Sequence, residues 1–158
     1  MQSSGTNSRR DRRGFTLVEL AVVLTIASIL IGVAAPRIQA TFHQRDVNGV
    51  RDGVILLGAQ ARARAMEQAQ TVEFRLFLDD GYAEMVQDGE TLETLNFEDE
   101  LGIEATGASG DIVMCYTARG FATEPCSTNL SSPARVTFSR RGHTAELEVW
   151  QLGQLRKL

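Results

Sequence analysis

From Phe15 to Ala35 the chain reads FTLVELAVVLTIASILIGVAA, an apolar run of about 21 residues whose one ionisable group is Glu19. As a helix it is roughly 32 Å long, enough to cross a bilayer core. Pro36 ends the run; its missing N–H and its ring predict a loosened, kinked helix there, softened further by Gly32. From 37 to 70 the period stays helical but becomes amphipathic. Ile38, Phe42, Val50, Val54, Leu57, Ala61 and Ala65 recur at spacings near three or four, with a gap at Asp46. Gly49, Gly53 and Gly58 each weaken the helix by about 1 kcal/mol relative to Ala and allow a sheet or second helix to come close.

After Thr71 the period becomes two. Thr71–Leu78, the turn Asp79-Asp80-Gly81 and Tyr82–Val86 predict a β-hairpin. The acidic segment Gly89–Ile103 reads as a loop with a short strand near Thr94–Phe97, and Thr106–Gly110 as a flexible turn. Further strands are expected at Asp111–Tyr116, Ala134–Ser139 and Thr144–Trp150, with a turn at Arg140–His143 and a short last strand within Gly153–Leu158. The whole is α+β: a long N-terminal transmembrane and amphipathic α-helix packed on a C-terminal antiparallel β-sheet head. It divides into a polar leader at 1–14, the apolar helix at 15–36, the amphipathic half at 37–70 and the head at 71–158.

Composition and charge add a direction. At 158 residues the chain fits one membrane-anchored domain. Arg9, Arg10, Arg12 and Arg13 stand against Asp11 in the leader, so the part from Phe15 onward is more acidic than the net −4 of the whole. A basic flank before an apolar helix holds the N-terminus in the cytoplasm and sends the C-terminus across the membrane. An ordinary signal peptide has a shorter apolar core and small residues before its cut; Ala34-Ala35-Pro36 matches weakly, and Pro opposes cleavage.

Glu19 is the informative residue. An acid in a membrane helix costs about 2.5–3.5 kcal/mol and normally has a partner. It lies one turn after Phe15, so a cut between Gly14 and Phe15 would create a cation within its reach, in its own chain or a neighbour's. The plainer reading is an acid close enough to the interface to reach water. The run Arg13-Gly14-Phe15-Thr16-Leu17-Val18-Glu19-Leu20 resembles the class III signal of type IV pilins and type II secretion pseudopilins. That resemblance implies cleavage after Gly14 by a prepilin peptidase, N-methylation of Phe15, an assembly role for Glu19 and a family position for Pro36.

The tail is similar to that of the minor pseudopilin and minor pilin group called GspH/FimT, through Arg135–Gly142, the strand after it and Gly153. Some members of that group are thought to bind DNA through a C-terminal Gly-Arg-x-Arg element; here Gly153-Gln154-Leu155-Arg156-Lys157 has Gln154 in place of the first Arg. Arg140, Arg141, Arg156 and Lys157, with His143, are the candidate DNA contacts, set against an acidic chain without interleaved aromatics. Cys115 and Cys126 are the two cysteines, and outside the cytoplasm they are expected to form a disulfide. A zinc site would need His partners, and His43 and His143 lie far apart in sequence.

Catalysis finds no footing: there is no Gly-x-Ser-x-Gly, no phosphate-cradling loop and no His pair at metal spacing. His143, beside two arginines in a turn, is expected at the surface. Glu98, Asp99 and Glu100 read as a solvated acidic face, with an extracytoplasmic calcium site as the alternative. No metal and no cofactor are expected. The reading is a structural subunit of a type II secretion pseudopilus or type IV pilus, whose partners are a prepilin peptidase, other subunits and an inner-membrane assembly platform. The alternatives are a DNA-binding minor pilin for natural transformation and a single-pass membrane protein that never assembles.

Overall fold

The computed structural model describes residues 16–124, 126–128 and 133–158, and of residues 33–40 only the helical backbone. The leader 1–14 and Phe15 lie outside the described residues. Two compact units are distinguished, Met1–Gln39 and Ala40–Leu158. Helix α1, Leu17–Gln68, contributes to both. Pro36 falls in the stretch described by its backbone alone, so its expected kink remains an expectation.

Within the second unit α1 turns one stripe inward. Val47, Val50, Val54, Leu57, Ala61 and Ala65 are all buried, at the three-and-four spacing that keeps side chains on one face. Val47 continues the stripe where a gap at Asp46 was expected. Phe42, expected in the stripe, is 56 % exposed. Ile38 falls among the side chains that are not described.

Two four-stranded antiparallel sheets follow. The first has the order β3-β2-β1-β5, built from β1 (Val72–Phe77), β2 (Tyr82–Gln87), β3 (Glu90–Asn96) and β5 (Ile112–Tyr116). The second has the order β4-β6-β7-β8, from β4 (Glu104–Gly107), β6 (Ala134–Arg140), β7 (His143–Val149) and β8 (Leu155–Lys157). The expected β1–β2 hairpin pairs Phe77 with Tyr82, whose rings stack at 4.6 Å. The alternation of the last hairpin is equally direct: Arg140 pairs with His143 across a turn in which Arg141 and Gly142 both have positive φ, the geometry whose twist matches that of the strands.

Two expectations are corrected. Gly89–Ile103 is not a loop: it holds β3 and then the one-turn helix α2, Glu98–Leu101. Asp88 and Gly89, at φ 53° and 82°, make the tight turn that folds β3 back on β2. Phe97 is the residue before α2 rather than the end of a strand, and Gly102, in the left-handed region, ends α2 by donating its N–H to the Glu98 carbonyl at 2.7 Å. Likewise Thr106 and Gly107 belong to β4, paired with Thr137 and Val136 of β6, instead of opening a flexible turn.

One continuous core joins the α1 stripe to both sheets, with Phe97 and Phe138 meeting edge to face at 5.5 Å. Two glycines of α1 permit close approach, as expected. A Cβ on Gly58 would collide with Leu155 of β8, and one on Gly53 would lie 3.1 Å from Leu95 of β3. At the far end of the core, the Tyr116 hydroxyl donates to the Gly153 carbonyl at 2.6 Å. Gly153 sits at φ 79° with Tyr116 and Ala122 against it, so neither its backbone angle nor the space admits a side chain.

Candidate assembly helix and basic surface

Thr16 caps α1. Its hydroxyl accepts the Glu19 N–H at 3.2 Å, while the Glu19 carboxylate accepts the Thr16 N–H at 3.4 Å. This reciprocal pair satisfies two N–H groups that a helix start otherwise leaves without partners. It also fixes where the charge sits: at the first turn, favourable to the helix dipole. The charge of Glu19 is legible in the sequence at once; the role of Thr16 has a fainter signal, a Thr followed three positions later by Glu before an apolar run.

Beyond the cap the helix is apolar on every side. Leu17 is 85 % exposed and Ile31 66 %, and Val18, Leu20, Val22, Val23, Leu24, Ile26, Ile29 and Leu30 are exposed with them. The hydroxyls in this stretch are turned back on the helix: Thr25 donates to the Ala21 carbonyl and Ser28 to the Leu24 carbonyl, each at 2.8 Å. No hydroxyl there depends on water, which suits a surface meant for lipid or for other helices. Among the described residues no helix is long and apolar enough to cross a membrane. The described apolar stretch from Leu17 to Gly32 makes roughly 24 Å of helix, short of a core of about 30 Å; the sequence carries the run on to Ala35.

The candidate basic contacts divide into two places. Arg140 reaches back to α1, where Asp46 accepts from it at 2.6 Å. Arg141 stands 3.5 Å from His43, and His143 contacts the Gln44 side chain at 3.2 Å, so the two histidine rings lie 6.2 Å apart. The fold thus brings together two residues whose separation in sequence gave no hint of it, and His143 is half-buried rather than at the open surface. Arg156 and Lys157 are elsewhere, on the edge strand β8, opposite Glu148 and Leu147 of β7. Five positions of β7 separate His143 from Glu148, about 17 Å of strand.

Cys115 and Cys126 form a disulfide, with Cα atoms 5.8 Å apart. The chain on either side of Cys126 lies along the outer side of β5. Thr123 donates to the Cys115 carbonyl and Thr128 to that of Val113, while the Ser127 and Thr128 hydroxyls accept from Cys115 and Val113. An edge that would otherwise offer free backbone groups is covered. Glu98, Asp99 and Glu100 are exposed in the first turn of α2. Among the described residues, one set of three potential metal ligands converges, Glu73 with Cys115 and Cys126, and its sulfurs are committed to the disulfide.

Residues 9–35 match the model of the prokaryotic N-terminal methylation motif. The fold is similar to that of the type IV minor pilin FimU of Pseudomonas aeruginosa, at 13 % identity and a TM-score of 0.53, over 72 % of this chain and 89 % of that one. It is also similar to the minor pseudopilin EpsH from the type 2 secretion system of Vibrio cholerae, at 11 % identity and a TM-score of 0.50, over 72 % and 96 %. No curated protein matches the chain. The architecture is pilin-like, an N-terminal helix on an antiparallel β head, and the motif at its start is that of N-methylated prepilins.

Proposed function

We propose that the chain is a minor pilin or pseudopilin, a structural subunit of a type IV pilus or a type II secretion pseudopilus. The observation that carries this reading is the join of the methylation motif over residues 9–35 to a head with the fold of FimU and EpsH. A prepilin peptidase cuts after Gly14, and Phe15 becomes a methylated amine. Until assembly the apolar helix waits in the inner membrane, with the leader side in the cytoplasm and the head outside it. An assembly platform then draws the helix into a filament, where it packs on the helices of other subunits. Glu19 pairs with a Phe15 amine, which fixes register more than it adds stability. No catalytic chemistry is assigned.

The basic residues favour this reading over capture of DNA. Arg140 is committed to Asp46, and Arg156 stands about 17 Å along the strand from the hairpin turn, so the four candidate contacts do not gather into one patch. Intact-mass measurement of the chain purified from cells with an active prepilin peptidase tests the proposal. Loss of residues 1–14 with gain of one methyl group is expected. A chain that keeps its arginine-rich leader there would overturn it.

A further inference from the structure

A groove runs between the second half of α1 and β8. It has two adjoining parts, of about 620 Å³ and about 250 Å³, which share Ile55, Ala59 and Leu155. Leu56, 58 % exposed, extends the apolar floor. The rim is cationic. Arg156 and Lys157 stand over the larger part and Arg62 over the smaller. Arg156 and Lys157 are exposed and carry no ion pair among the described residues, and the buried Nε of Arg62 has no hydrogen-bond partner. Among the described residues that line the groove the one acid is Asp52, bonded to Arg51 at 2.9 Å.

The same head carries the complement of this groove on another face. Strand β3 ends the other sheet as β8 ends this one. Glu90 and Glu93 are exposed on it, Leu92 is 36 % exposed between them, and Glu98, Asp99 and Glu100 continue the acidic face on α2. An aliphatic floor with a cationic rim matches an edge that presents carboxylates around a leucine, whereas it offers a nucleic acid no ring for a base to stack on. The two patches differ, so a contact between them is head-to-tail, the kind that repeats along a helical filament. The β5 edge, by contrast, is already covered by the disulfide loop.

We propose that the α1–β8 groove seats the acidic β3–α2 edge of a second copy of the chain, with Arg156 and Lys157 taking its carboxylates and Leu56 and Leu155 covering Leu92. The inference rests on the reading of the chain as a filament subunit and names the surface by which heads meet. The test uses the full processed chain held singly in lipid nanodiscs, so that membrane helices cannot touch, with two differently tagged populations and binding read between them. Arg156→Glu with Lys157→Glu carried by both populations, which leaves no wild-type groove, should weaken association about tenfold. Glu90→Lys with Glu93→Lys added to the same chains should restore it. All four positions are exposed, so the fold is kept, and circular dichroism of each variant checks this. Association indifferent to the reversal, or lost without restoration, overturns the proposal. So does a short DNA duplex that binds the groove while two copies do not. A chain cut after Gly14 and methylated, yet showing no rescue, keeps the subunit reading and loses only this surface.

Discussion

Leu24 and Leu57 are leucines of the same helix, yet Leu24 is 59 % exposed and Leu57 2 %. Around Leu57 the chain supplies its own cover, two sheets whose inward residues join the α1 stripe in one core. Around Leu24 the described residues supply little. A Leu, Ile or Val left in water forgoes about 1.5–3 kcal/mol, and ten such residues from Leu17 to Ile31 are exposed. The difference teaches where each half finds its stability: the head half inside the molecule, the other half not among the described residues, as the proposed subunit role requires.

The sharpest way to break that comparison is to shorten both leucines. Leu57→Ala should cost the head about 2–5 kcal/mol in urea unfolding, the range for a buried leucine that leaves a cavity. Leu24→Ala should leave the same unfolding midpoint unmoved and weaken only insertion or assembly. If both variants unfold alike, the two halves do not differ in the way their burial says.

Much of this contrast was legible before any coordinates, because both halves of α1 announce themselves by period. The failures have physical causes. Strand β3 reads Glu-Thr-Leu-Glu-Thr-Leu-Asn and is exposed along almost all its length, so hydrophobic alternation had nothing to report. It is a strand because β2 pairs with it, and the one local cue was Asp88-Gly89 at the turn. Strand β4 is four residues whose register comes from β6, about thirty positions later in the chain, a partner no local window contains. The contact between His43 and His143 is of the same kind. At Glu19 the charge is plain in the sequence, whereas the hydrogen bonds with Thr16 leave only the Thr-x-x-Glu spacing as their trace.

A second measurement asks whether the head's self-sufficiency has a pH limit. Burial pushes the Tyr116 phenol up to about 12 from an ordinary 10.0, with Arg62 pulling the other way. An acid whose folded value is raised favours the fold while it stays protonated. The unfolded chain therefore loses its proton first, near pH 10, and the head only near 12. This contribution is whole below pH 10 and is lost as pH rises to 12, a fall of roughly 2–3 kcal/mol. Urea unfolding at pH 9 and pH 12 should show that fall in the wild type, and Tyr116→Phe should show less of it. The same variant should be about 1 kcal/mol weaker at neutral pH, since the Gly153 carbonyl loses its donor. A Tyr116→Phe head as sensitive to alkali as the wild type would place the limit elsewhere.

The smallest effect separates the two duties of Glu19 in the half that lacks internal cover. Thr16→Ala removes the hydroxyl that receives the Glu19 N–H but leaves the carboxylate in place, and loss of such a cap costs about 1 kcal/mol. Amide exchange at Leu17 to Leu20 in the full chain should quicken about fivefold, with incorporation into filaments retained. Glu19→Gln does the reverse. A glutamine still closes the reciprocal cap, so exchange should change little, while the negative partner for the Phe15 amine is gone and incorporation should fail. Were Thr16→Ala to abolish incorporation as fully as Glu19→Gln, the carboxylate would matter through the helix start it completes, and pairing with a neighbour's amine would no longer be needed to explain it.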